Sequence, residues 1–180
     1  MNASLCTLPR PRYLCFRRSF SIKCLALLGV LFLSGGLVGE AFATNYERQR
    51  DSFLSAVALV ETGNNPRAVG SKGERGLYQF TRQTWKQHTK KSHYKAHDPS
   101  YSQVIAKKHY DWLYRNLTRK GYPASPYWIA VAWNSGLKRT TTGRAPGMSR
   151  RYAERVTNLV FDDQRQLLAM NQRSVRTATR

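Results

Sequence analysis

The chain has 180 residues, 30 of them Lys or Arg against 10 Asp or Glu, for a formal net charge of +20 at pH 7, and 41% are hydrophobic. That length suits one small domain with a single core. All three cysteines (Cys6, Cys15 and Cys24) lie close to the N-terminus, which excludes disulfides, thiol catalysis and cysteine-ligated zinc from the rest of the chain.

Residues 1–43 read as a signal peptide. Arg10, Arg12, Arg17, Arg18 and Lys23 form a basic leader, Cys24 to Val38 an apolar stretch, and Ala41-Phe42-Ala43 a small-x-small cleavage pattern. Ser34, Gly35 and Gly36 interrupt the apolar stretch, which falls short of the roughly 20 residues that span a bilayer. No transmembrane span is therefore expected in the mature chain, with an uncleaved anchor as the alternative. Export without disulfides fits a bacterial periplasm or cell envelope, or secretion beyond it.

After the leader the net charge is still about +16, spread along the chain. Such a field draws polyanions to the surface. Outside the cytoplasm these are cell-wall polymers, lipopolysaccharide and anionic lipid. Nucleic acid fits the charge alone, but much of the aromatic content falls at expected core positions, so no nucleic-acid partner is expected.

The mature chain shows helical periodicity, almost no strand alternation and no internal repeat. Residues 47–62 place Phe53, Leu54, Val57, Ala58 and Glu61 on one face, and Gly63 is a C-terminal stop. Thr44 and Glu47 have the spacing of a capping box. Asn64 to Leu77 reads as a loop with a small β-hairpin, and Thr81 caps a short helix to His88. The strongest helix signal runs from Asp98, an N-cap followed by Pro99, to Lys120 before Gly121 and Pro123. Ile105, Trp112, Leu113 and Leu117 form its expected buried stripe. Pro126 opens a helix from Tyr127 to Asn134 that is apolar nearly all round and hence central. Gly136 to Gly147 reads as a basic loop. Ser149 caps a helix carrying Tyr152, Val156 and Leu159 on one face. A basic tail, residues 164–180, frays beyond Met170. The expected fold class is mainly α, a compact domain over residues 44–163.

Glu61 carries the chemistry best. The C-terminal end of its helix disfavours a carboxylate, and its apolar neighbours add desolvation. Both raise the reference value of about 4.3 toward the roughly 6 that suits a glycosidase acid. Gln79 offers an amide that donates and accepts, as sugar hydroxyls and N-acetyl groups require. Asn134 ends a buried helix, where its amide needs partners. Tyr152 reads as a core tyrosine with its hydroxyl at the rim. Glu74, between Gly73 and Arg75, invites a two-carboxylate site, but a charged loop favours a solvated side chain there. His93 and His97 have helical metal-ligand spacing, yet Lys90, Lys91 and Lys95 would repel a cation, so no metal is expected. His109 reads as a core or rim histidine. Nucleophile elbows, phosphate loops and dinucleotide fingerprints are missing from the sequence.

Four ordered segments resemble the lytic transglycosylase branch of the lysozyme-like superfamily, over about Leu59 to Leu159. They are Glu61-Thr62-Gly63 with Asn65-Pro66-x-Ala68; Gly70-x-x-Gly73-x-x-Gly76-Leu77-x-Gln79; Ala132-x-Asn134-x-Gly136; and Tyr152-Ala153-x-Arg155-Val156. The resemblance implies a lysozyme-like helical fold and a groove for peptidoglycan glycan strands. It also implies Glu61 as sole catalytic acid/base, with Gln79, Asn134 and Tyr152 holding the sugars and no cofactor. Thr62, Tyr78 and Trp133 stand where that branch usually has serine, methionine and tyrosine. Thr62 keeps the hydroxyl, and with Tyr78 it completes the expected substrate-binding set. A monomer is expected.

Overall fold

The computed structural model describes residues 45–178, all within one compact unit. The expected signal peptide and the Thr44 cap lie outside these residues.

The first helix, α1 (residues 45–62), turns Phe53, Leu54, Val57 and Ala58 inward. It ends as its glycine predicts. Gly63 takes φ +58° and Asn64 +66°, and the amide of Asn64 reaches back to the carbonyl of Ala58 at 3.2 Å, which satisfies carbonyls the helix leaves open. Farther back, Asp111 on the third helix accepts from the Tyr46 hydroxyl at 2.7 Å and pairs with Arg50 at 3.3 Å, tying the two helices together.

The loop expected over Asn64 to Leu77 extends over residues 63–80. In place of a hairpin the chain makes two single antiparallel bridges, Val69 to Arg75 and Arg75 to Phe80. Helix α2 (Arg82–His88) starts where the Thr81 hydroxyl accepts from the amide of Thr84 at 3.1 Å. It buries Trp85, whose indole donates to the carbonyl of Lys91 at 2.9 Å. A 3₁₀ turn (His93–His97) leads into α3 (Pro99–Arg119), capped by the Asp98 side chain on the amide of Tyr101 at 3.1 Å. The buried stripe of α3 is Ile105, Ala106, His109, Tyr110, Leu113 and Leu117, while Trp112, expected within it, is only half-buried.

Helix α4 (Pro126–Ser135) is the central element, with Ile129, Ala130, Val131 and Ala132 buried, and it packs chiefly on the last helix. The stretch expected to be a plain loop contains a short helix, α5 (Leu137–Thr141). Gly136 turns the chain at φ +85°, and the hydroxyls of Thr140 and Thr142 then donate to the carbonyls of Gly136 and Lys138 at 3.1 and 2.9 Å. Threonine, a weak helix former, is accommodated here by back-bonding. The last helix, α6 (Gly147–Ala178), begins two residues before Ser149 and continues as helix through the expected frayed tail. It buries Tyr152, Ala153, Val156 and Val160, and from Phe161 onward nearly every side chain is exposed. Its first half is therefore held by the core, and its second half lies at the surface beside the start of α1.

Candidate active site

Glu61 sits in the last turn of α1, half-buried, and lines a cavity of about 310 Å³ together with Glu74, Tyr78, Gln79, His109 and Asn134. Burial raises its carboxyl pKa above the usual carboxylate value. The Tyr152 hydroxyl pulls it back, the Glu74 charge raises it again, and Arg155 lowers it. The net direction is upward, toward the protonated form that a general acid requires.

Glu74 is the group that sequence reasoning set aside. It is half-buried rather than freely solvated and lines the same cavity as Glu61. One carboxylate oxygen accepts from the amide of Lys72 at 2.9 Å. A tight turn makes this possible, with the amide of Gly70 on the carbonyl of Glu74 at 2.9 Å and that of Gly73 on the carbonyl of Gly70 at 3.0 Å. Gly70 also gives the side chains room. A Cβ there would stand 2.5 Å from Glu74 Oε2 and 2.7 Å from Gln79 Oε1. The glycine spacing was legible in the sequence, but its consequence for these two acceptors was not.

Gln79 adopts φ +45°, a left-handed backbone unusual for a side-chain-bearing residue. Its amide nitrogen donates to the carbonyl of Gly76 at 2.9 Å, which fixes the side chain while its oxygen lies over Gly70. Tyr78, 5% exposed, packs its ring near Phe80 and Trp133 at 6.0 and 6.3 Å. Burial, helped by the charge of Asp51, pushes its hydroxyl up to about 12, so it stays a neutral phenol.

Asn134, at the end of α4, accepts from the Ser149 hydroxyl at 2.7 Å through Oδ1. That leaves its NH₂ group as the donor available to the cavity. Beside it, Trp133 lines the cavity and meets Phe53, Phe80 and His109 at 5.9, 5.6 and 4.8 Å.

Tyr152 and Thr62 reach the site differently from expectation. Tyr152 is 4% exposed and stands behind Glu61 rather than in the cavity wall. Its hydroxyl has no hydrogen-bond partner of regular geometry among the described residues, yet the Glu61 carboxyl acts on it as a charge and as an acceptor at the margin of reach. Thr62 does not line the cavity. Its hydroxyl lies 3.1 and 3.4 Å from the carbonyls of Ala58 and Leu77 and accepts from the amide of Asn65 at 3.2 Å. It braces the loop against α1 and so takes part through the backbone.

His93 and His97 are also structural. His93 Nε2 bonds the carbonyl of Phe80 at 2.7 Å, and His97 bridges the carbonyl of Pro66 and the Arg75 guanidinium at 3.0 and 3.2 Å. Among the described residues no cluster of His, Cys, Asp or Glu has the makings of a metal site, and no helix is long and apolar enough to cross a membrane.

A helical domain with a half-buried glutamate, its carboxyl pKa raised by burial, in an amide-lined cavity is lysozyme-like in build. The family model for the transglycosylase SLT domain matches residues 40–154, a span that includes every candidate residue named above. The chain belongs to the transglycosylase SLT domain family, and its function is peptidoglycan-related, of the lytic transglycosylase type. No curated protein matches the chain.

Proposed function

We propose that the protein is a peptidoglycan lytic transglycosylase that cleaves the β-1,4 bond between N-acetylmuramic acid and N-acetylglucosamine, with Glu61 as its single acid/base. The observation that carries this reading is the Glu61 carboxyl, held toward its protonated form in a cavity with the amides of Gln79 and Asn134. Protonated Glu61 gives its proton to the glycosidic oxygen as the bond from C1 of the muramic sugar breaks. The N-acetyl oxygen of that sugar stabilises the oxocarbenium-like centre. The ionised Glu61 then takes the proton of the C6 hydroxyl, whose oxygen closes onto C1 to give a 1,6-anhydro end. Atoms and charge balance without water, metal or cofactor.

In this reading Tyr78, Gln79 and Asn134 bind sugar, Tyr152 tunes Glu61, and Thr62 holds the loop. The chain is exported through residues 1–43, works in the envelope as residues 44–163 with a basic extension at 164–180, and its surface charge attracts wall polyanions. Activity on sacculi should fall several-fold as salt shortens the reach of that field, and activity flat with salt would count against the attraction.

A hydrolase is the second reading, favoured by one observation: Glu74 shares the cavity and could activate water. The deciding experiment is mass spectrometry of the soluble products released from purified sacculi. The full-length chain is purified from a host that exports it, beside Glu61→Gln. Anhydro-muropeptides that vanish in the variant are expected. Free reducing ends would instead establish a muramidase and give Glu74 the second role. Binding to sacculi with no release by either protein would sink the enzyme reading in favour of a cationic peptidoglycan-binding protein.

A further inference from the structure

Helix α3 sends one histidine into the cavity. His109 lies on the buried stripe between Ile105 and Leu113, is 6% exposed, and still lines the wall that Glu61 lines. Rings hold it on three sides. Trp112 stacks on it at 5.9 Å and 11°, Trp133 meets it edge-on at 4.8 Å, and Phe80 lies at 5.9 Å. Its Nδ1 is 2.9 Å from Nε2 of His88, at the end of α2. A hydrogen bond between two imidazole nitrogens commits one proton, so Nδ1 is occupied and Nε2 is the ring nitrogen left for another partner. If Nδ1 donates to His88, Nε2 is a bare acceptor; if Nδ1 accepts, Nε2 carries the N–H. Desolvation, with the charge of His88 adding to it, pushes His109 down to about 3, so the ring is neutral and places no cation beside Glu61. Among Phe80, Trp112 and Trp133 a phenylalanine would fill the same space with no nitrogen to desolvate. Packing alone therefore does not account for an imidazole at this position.

Resting on the glycan reading of this cavity, we infer that His109 is a further substrate-contacting residue. Its Nε2 hydrogen-bonds a hydroxyl or acetamido group of a sugar bound beside Glu61, and His88 is the positioning residue that turns that nitrogen to the cavity. The recognised group is neutral and both donates and accepts, which either tautomer of the ring matches.

The test is an NMR titration of the full-length, host-processed chain carrying Glu61→Gln and ¹⁵N-labelled histidine, using hexa-N-acetylchitohexaose as probe. Saturable binding that moves the His109 Nε2 resonance is expected. Two replacements separate the ring's two nitrogens, because the amide of asparagine stands near the place of Nδ1 and that of glutamine near Nε2. His109→Asn should weaken binding about tenfold, the loss of one buried hydrogen bond, while His109→Gln should stay within about twofold. His88→Phe should change the tautomer balance of His109 in the same spectra. Saturable binding that leaves the His109 ring unmoved would overturn the inference, and so would equal losses in the two His109 variants. An unchanged tautomer balance would remove His88 from it. If the probe fails to bind at all, the glycan reading of the whole cavity falls, and this inference with it. The titration on the native imidazole stands even where a variant does not fold.

Discussion

The two walls of the cavity are built by different physics. The helical wall carries Glu61, His109, Trp133 and Asn134 on the ends or stripes of α1, α3 and α4, helices anchored in the core by Phe53, Val57, Leu113 and Val131, all buried. The loop wall, residues 63–80, carries Gly70, Glu74, Tyr78 and Gln79. It is held by single bridges, backbone hydrogen bonds and close approaches that only glycine permits, with Tyr78 and Phe80 buried and the His93 and His97 rings tied to its backbone. The loop wall and the helix behind Glu61 also act on it with opposite sign. Glu74 from the loop raises its pKa, while Tyr152 and Arg155 from α6 lower it. The reacting group thus stands on a packed helix, while Glu74, the loop group that raises its pKa, stands on a segment that joins the core through Tyr78 and Phe80.

The largest break is on the helical side. Phe53→Ala removes a fully buried ring that packs on Tyr110 and Trp133 at 5.1 and 5.9 Å and should cost about 3–5 kcal/mol in urea unfolding. A cost below about 1 kcal/mol would mean that Phe53 does not anchor this wall. On the loop side Gly76→Ala should approach that loss although no apolar side chain is removed. Its Cβ would stand 1.9 Å from the carbonyl oxygen of Ala96, at φ +72°. A cost of roughly 2 kcal/mol or more is expected from clash and left-handed backbone together, with activity lost further than in Phe53→Ala at a temperature where both remain folded. A Gly76→Ala protein of wild-type stability and activity would show that the loop can move away from the 3₁₀ turn.

Smaller effects sharpen the opposition in sign. If Glu61 is the general acid, activity falls as pH rises through its elevated pKa. Glu74→Gln removes a raising charge and should move that limb of the pH–rate profile to lower pH. Tyr152→Phe removes a lowering contact and should move it to higher pH. Shifts in the same direction would refute the two-sided tuning. Linkage gives the corresponding stability effect. The folded state holds the Glu61 proton more tightly than the unfolded chain does. Stability relative to Glu61→Gln should therefore decline as pH rises from the ordinary value of 4.5 through the elevated one and level off above it. Parallel unfolding curves for the two proteins at pH 4 and pH 8 would argue against a raised Glu61.

Much of the scaffold was legible from local signals. Asp98-Pro99 and Gly121 mark the ends of α3, Thr81 marks the start of α2, and Gly63 marks the stop that leaves Glu61 in a final turn. Each works through a cap or a dihedral preference within a few residues of itself, so the sequence carries it directly. Short-range signals failed where two of them compete. The glycine at 136 looked like the opening of a loop but only reorients the chain before α5, and the polar composition after Asp163 concealed a helix that continues to Ala178.

The sequence by itself determined that one carboxylate would end an apolar helix, that an amide-bearing loop would follow, and that the chain would be helical and strongly basic. These depend on spacing and composition. Only the tertiary structure decided that Glu74 turns into the cavity, that Thr62 spends its hydroxyl on the backbone, that Tyr152 stands behind Glu61, and that His109 faces the site with one nitrogen tied to His88. Each of these depends on how closely two distant segments approach, such as Gly70 against Glu74 and Gln79, or α2 against α3. That approach is set by close packing of side chains many residues apart, which no local pattern encodes.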